Sequence, residues 1–98
     1  DCGLFHTFSD DDRPTFVAGL ANVLRSGGRL VILCFSDSEP GTDGPRRVTK
    51  QEIRDNFGDG LWRVERIEPI RFEVVEDRGD LHFSPGGPKA WRATIERT

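Results

Sequence analysis

The sequence predicts an α/β protein in which a mainly parallel sheet, with element order β-α-β-α-β-β, ends in an antiparallel strand. Three stretches predict it. Arg29-Leu-Val-Ile-Leu-Cys-Phe35 is an apolar run with the length and β-branched content of a parallel strand buried on both faces. Residues 9–26, just before it, carry a helix start and an amphipathic stripe suited to covering one face of that strand. The chain closes with two aromatic-containing segments that alternate apolar and polar residues, as half-buried strands do.

In order along the chain, residues 1–8 combine Leu4 and Phe5 with small and polar neighbours and read as the carboxyl end of a strand and the loop after it. Ser9-Asp10-Asp11-Asp12 supplies helix-start chemistry, because Ser9 can accept from free backbone N–H groups and the carboxylates suit the positive end of a helix dipole. Pro14 fits only near such a start, which places it between Ser9 and Asp12. Phe16, Val17, Leu20, Val23 and Leu24 form the apolar stripe, and Gly27-Gly28 stops the helix, one of them at positive φ in the C-terminal cap.

Beyond the strand, residues 36–45 are a polar loop of turn residues, placed where α/β proteins hold ligands. Thr49-Lys50-Gln51-Glu52 matches a capping box and opens a short helix that packs through Ile53 and Phe57 and ends at Gly58 and Gly60. Residues 62–75 set Trp62, Val64, Ile70, Phe72 and Val74 at period two, with Pro69 interrupting, as in a long bent strand near an edge. Residues 76–80 form a turn and residues 82–89 a longer loop. In the last strand Trp91, Ala93 and Ile95 alternate with Arg92, Thr94 and Glu96.

Composition narrows the function classes. The 98 residues are 35% hydrophobic and 32% charged, a charge-rich balance whose apolar residues still cluster in periodic blocks, so a folded domain is expected. A net charge of −3 repels phosphate backbones and anionic membrane, which argues against nucleic acid and membrane partners. No apolar run approaches the roughly 20 residues of a membrane-spanning helix, and the expected location is the cytoplasm. Cys2 and Cys34 are expected as reduced thiols, since Cys34 lies within the buried strand. The chain has no methionine and opens mid-element, which suggests residues upstream.

Several constellations compete with plainer roles. Cys2 and His6 form a candidate nucleophile–base pair without an evident orienting group. Cys2, His6, Cys34 and His82 as a zinc site lack any close Cys or His pair. Asp10, Asp11 and Asp12 suit a cation or, with less special pleading, the helix start. Asp1 stands where a strand would emerge, beside Gly3, which permits close backbone approach to a ligand. Ser36 and Asp37 take the matching place after the central strand, as ligand contacts or as a solvated turn. Arg46, Arg47 and Lys50 form a basic cluster able to recognise a carboxylate or phosphate, or simply a solvated helix entrance.

The opening Asp1-Cys-Gly-Leu-Phe-His-Thr-Phe-Ser-Asp10, the passage Leu24-Arg-Ser-Gly-Gly-Arg-Leu30 into the strand, Gly44-Pro-Arg-Arg-Val-Thr-Lys-Gln-Glu-Ile53 and the paired aromatic strands together resemble the C-terminal half of class I S-adenosylmethionine-dependent methyltransferases. Within that family the small-molecule, thiopurine methyltransferase-like branch is the nearest likeness. The resemblance covers essentially the whole chain. It implies a partial Rossmann-like methyltransferase sheet, mainly parallel, with an antiparallel last strand inserted beside an interior one. By the same resemblance Asp1, Cys2 and Gly3 face the cofactor, Phe35, Ser36 and Asp37 line the substrate side, and His6 is the one nearby candidate base.

The glycine-rich loop and the acidic residue that hold the cofactor in that family have no counterpart here, and no Gly-x-Gly-x-Gly occurs. Residues 1–98 are therefore expected to be the C-terminal portion of a methyltransferase domain without its cofactor-binding half, binding no S-adenosylmethionine alone and inactive alone. The complete enzyme would methylate a small-molecule acceptor. An uncovered sheet edge would favour a homodimer or domain-swapped assembly. The alternatives are a non-catalytic α/β binding or dimerisation module and a thiol enzyme built on Cys2 and His6.

Overall fold

The computed structural model describes residues 1–73 and 83–98. Helix α1 spans Arg13–Val23, strand β1 Arg29–Phe35, helix α2 Lys50–Asn56, strand β2 Trp62–Arg71 and strand β3 Lys89–Arg97, with a 3-10 turn at Phe5–Thr7 ahead of them. The strands form one sheet in the order β1-β3-β2. Cys34 lies opposite Trp91 in the first ladder and Ile67 opposite Ala93 in the second. Both ladders are antiparallel.

This overturns the expected partial Rossmann-like methyltransferase sheet, mainly parallel with an antiparallel last strand. The chain forms a small three-stranded antiparallel sheet with two helices. Parallel pairing among the described residues is confined to isolated bridges at Cys2–Leu33 and Ser36–Val48. The reason is the position of β3: it lies between β1 and β2 and satisfies the backbone of both. An apolar run announces burial, but the direction of the partner that takes up its N–H and C=O groups is set by distant sequence.

The expectation that β1 is buried on both faces also fails. Leu30, Ile32 and Cys34 are buried, whereas Val31 is 42% exposed and Leu33 half-buried. The buried set joins Ala93 and Ile95 of β3, Trp62 of β2, Val17 of α1, and Ile53 and Phe57 at α2 in a single core. On the opposite face the strands carry cross-strand ion pairs, among them Arg63–Glu96 at 2.7 Å and Arg92–Glu68 at 3.2 Å.

The helices differ from expectation at their ends. The α2 capping box forms as the sequence indicates: Thr49 Oγ1 accepts from Glu52 N–H (3.0 Å) and Glu52 accepts from Thr49 N–H (3.2 Å). Helix α1 instead begins at Arg13, after a turn in which Ser9 Oγ accepts from Asp12 N–H at 3.2 Å. It ends at Val23, which is 78% exposed rather than part of the stripe. Gly27, at φ 83°, does not cap α1 but turns the chain into β1, where its N–H donates to Arg97 O.

Strand β2 continues through Pro69 as an edge strand. Phe72 N–H donates to Pro88 O, so by alternation the nitrogen of Pro69 points to the open edge, where no donor is required. A bulge between Val64 and Arg66 shifts the phase, so that Ile67 joins the core while Ile70 moves to the other face opposite Ala90. Trp62, Val64 and Ile70, set at period two by the sequence with Pro69 interrupting, therefore do not share one face. Val74, Val75, the turn at 76–80 and His82 lie outside the described residues.

Candidate functional site

The site is assembled where residues 1–6 run against the carboxyl half of β1. The Asp1 nitrogen donates to Val31 O (2.7 Å), Leu33 N–H to Asp1 O (2.9 Å) and Gly3 N–H to Leu33 O (2.9 Å), which brings Gly3 and His6 beside Phe35. Asp1 Oδ2 accepts from the N–H groups of Leu4 (3.3 Å) and Phe5 (3.0 Å), so this oxygen starts the 3-10 turn. Gly3 has φ 79°, and a Cβ there would stand 3.3 Å from His6 Nε2, so a side chain would be both strained and crowded. Cys2 is exposed.

His6 is buried, and its Nδ1 accepts from Phe35 N–H at 3.0 Å. Its ring stands edge-on to the Phe35 ring at 5.5 Å. Burial pushes its pKa below the usual histidine value; the Arg13 charge adds to this, a hydrogen bond with the Gly3 backbone opposes it, and Arg47 lowers it slightly. The imidazole is thus neutral, with its basic lone pair given to a backbone amide. Taking a proton at Nδ1 would break the Phe35 bond, and in this arrangement His6 ties the amino-terminal turn to β1.

The loop after β1 is held by Arg47, which the sequence placed in a basic cluster, and by Glu39, which it left unassigned. The Arg47 guanidinium donates to four backbone carbonyls, those of Glu39 (3.2 Å), Pro40 (3.1 Å), Asp43 (2.7 Å) and Pro45 (2.6 Å), and lies 5.2 Å from the Phe35 ring centroid. Glu39 is 2% exposed; its carboxylate accepts from Ser84 N–H and Lys89 N–H, both at 2.9 Å. Burial pushes the Glu39 carboxyl up, but the hydrogen bonds from Lys89 and Ser84 and the charge of Arg47 outweigh it and leave the pKa lowered. A lone glutamate in a turn-rich loop carries no sequence signal for this role.

Phe35 is walled by the rings of Phe72 and Phe83, each 5.4 Å away. Ser36 is buried and its Oγ accepts from Ser38 N–H (2.9 Å), while Asp37 is exposed and its N–H donates to Val48 O (3.0 Å). Beside them opens a cleft of about 310 Å³ lined by Ser36, Ser38, Pro69, Ile70, Arg71, Lys89, Ala90 and Trp91. The Trp91 indole N–H is already donated to Val48 O at 2.9 Å.

Other expected groupings are dispersed. Arg46 bonds Asp10 (2.7 Å) and Phe8 O (3.1 Å), and Lys50 lies 5.0 Å from the Trp91 ring centroid, so the basic cluster does not converge on one point. Among the described residues no group of three or more His, Cys, Asp or Glu is placed to hold a metal. Cys34 is buried, and burial pushes its thiol up to about 12, with Arg13 lowering and Glu52 raising it. Arg13, 1% exposed, donates to Glu52 (2.7 Å) and Phe5 O (3.3 Å) and stacks on the Phe5 ring at 4.5 Å, while its Nη2 is buried without a partner among the described residues.

Against S-adenosylmethionine, the residues at the site are a poor fit on their own. Asp1 Oδ2 is engaged in starting the 3-10 turn and the Gly3 N–H is donated to Leu33 O, so neither of these groups is free for a ribose or an amino acid.

No family model and no curated protein matches the chain. Among the solved structures it resembles is a protein described for the conversion of a disulfide bond into a thioacetal group during echinomycin biosynthesis, with a TM-score of 0.73 and 24% identity. The match takes in 99% of this chain and 46% of that one, so this chain spans less than half of its neighbour's length. At that identity the likeness is one of fold. No helix among the described residues is long and apolar enough to cross a membrane.

Proposed function

We propose that the chain is part of an S-adenosylmethionine-dependent methyltransferase acting on a small molecule, and that the 98 residues alone are inactive. The observation carrying this reading is the likeness over 99% of the chain to one part of a larger biosynthetic protein, taken with the Asp1–Asp10 and Leu24–Leu30 motifs that resemble the methyltransferase family. The chemistry named for that neighbour takes place at sulfur, so thiols and sulfides are the first acceptors to try. Phe35, Ser36 and Asp37 supply the substrate side, and His6 positions Phe35 rather than moving a proton. Cytoplasmic placement belongs to the same reading.

The test is calorimetric titration with S-adenosylmethionine and transfer of labelled methyl to a panel of thiols and sulfides. It is run on this chain and on the chain joined to any segment encoded upstream of Asp1. The longer chain is expected to bind and transfer, and this chain to do neither. A longer chain that fails to bind the cofactor overturns the methyltransferase reading; micromolar binding by this chain overturns its inactivity.

The second reading, a non-catalytic binding or dimerisation module, is favoured by the engaged lone pair of His6. The exposed Leu4 and Val31 beside the short Asp1–Gly3 edge would then serve a homodimer or domain-swapped assembly. A single monomeric species in sedimentation across a wide concentration range counts against that assembly.

A further inference from the structure

We infer that the cleft beside Trp91 is a binding site for a small carboxylate with an apolar body, such as an aromatic acid. Charge placement within the sheet supports this site independently of methyl transfer. Elsewhere the strands place opposite charges across from one another: Arg63 faces Glu96, Glu68 faces Arg92 and Arg29 faces Glu96. At the cleft, Arg71 and Lys89 are direct cross-strand partners. Like charges in that position repel, a cost that an anion between them would remove.

Neither cation is neutralised within the described residues. Arg71 uses Nη1 on the carbonyls of Pro85 (3.0 Å) and Gly87 (2.9 Å), which fixes the guanidinium and keeps its charge. Lys89 contributes only its backbone N–H to Glu39, whose carboxylate is shared with Ser84 N–H and lies within the field of Arg47. Lys50 adds a third cation over the Trp91 ring at 5.0 Å. The remaining lining is suited to an organic body: Pro69 and Trp91, on the face of the sheet that carries Arg71 and Lys89, are apolar, and Ser36 and Ser38 contribute hydroxyls. A space of about 310 Å³ is at the small end of ligand sites and accommodates a single-ring acid.

The experiment is titration of the isotopically labelled chain with benzoate and phenylacetate, followed by amide and indole N–H shifts. Benzyl alcohol and inorganic phosphate serve as the neutral and the purely anionic probe. Saturable shifts at Ile70, Ala90 and the Trp91 indole are expected from the acids, with both control probes weaker by roughly tenfold. Lys89→Gln is expected to weaken acid binding by roughly tenfold, while Lys89→Arg preserves it. Because it removes the repulsion, Lys89→Gln should also raise the melting temperature, so lost binding is not confused with lost folding. Absence of saturable shifts from both acids, equal binding of either control, shifts mapping away from the cleft, or unchanged binding by Lys89→Gln would each overturn the inference.

Discussion

Replacing His6 by phenylalanine separates a structural tie from a proton-transfer group. In the folded chain Nδ1 of the buried imidazole accepts from Phe35 N–H at 3.0 Å, and phenylalanine keeps an aromatic ring there, somewhat larger than imidazole, while removing that acceptor. An unsatisfied buried donor costs about 1–3 kcal/mol, and for a domain of this size each kcal/mol lowers the midpoint by about 4–8 °C. The pH dependence supplies a second, sharper readout. The folded-state pKa lies below the ordinary histidine value of 6.5, so the unfolded chain binds a proton more readily than the folded one. The stabilisation is therefore complete above 6.5 and is lost as pH falls from there toward the depressed value, at up to about 1.4 kcal/mol per pH unit. Urea unfolding of both proteins at closely spaced pH between neutrality and mild acid measures this. His6→Phe should be less stable at neutral pH, and the gap should narrow as the solution is acidified. A gap that stays constant, or a parent chain that gains stability on acidification, would refute the assignment.

Three further outcomes follow from the same geometry. Glu39→Gln leaves one of the two backbone donors of Ser84 and Lys89 facing an amide N–H and should cost about 2 kcal/mol. Since the Glu39 carboxyl is held below the ordinary glutamate value of 4.5, the parent's advantage over this variant, read by urea unfolding, should persist above that pH and fade as pH drops below it. Arg13→Met and Glu52→Gln should each destabilise, and the double variant by less than the sum, because the buried guanidinium and its partner compensate one another; a double-mutant cycle tests this. In native protein iodoacetamide should modify exposed Cys2 and spare buried Cys34, whose thiol is pushed up to about 12, with both modified after unfolding; peptide mass spectrometry distinguishes the two.

Local chemistry made part of this molecule legible from its sequence. The capping box at Thr49 to Glu52, the strand at Arg29–Phe35 and the buried set Trp91, Ala93 and Ile95 all depend on neighbours within a few residues, and all are present, although Thr94 between them is buried too. The end of α1, the bulge after Val64 and the exposure of Val23 departed from simple periodicity, because one extra residue or one lost turn changes phase without changing composition.

What the sequence determined by itself was therefore the position and type of most elements, since helix and strand periods are written in adjacent side chains. Only the tertiary structure decided that β3 separates β1 from β2 in an antiparallel sheet, that His6 gives its lone pair to Phe35, and that Glu39 and Arg13 are buried. It also decided that Arg71 lies opposite Lys89 on paired strands beside a cleft. Each of these depends on groups far apart in the chain, and hydrogen bonding and charge act through distance in space, which local sequence patterns do not encode.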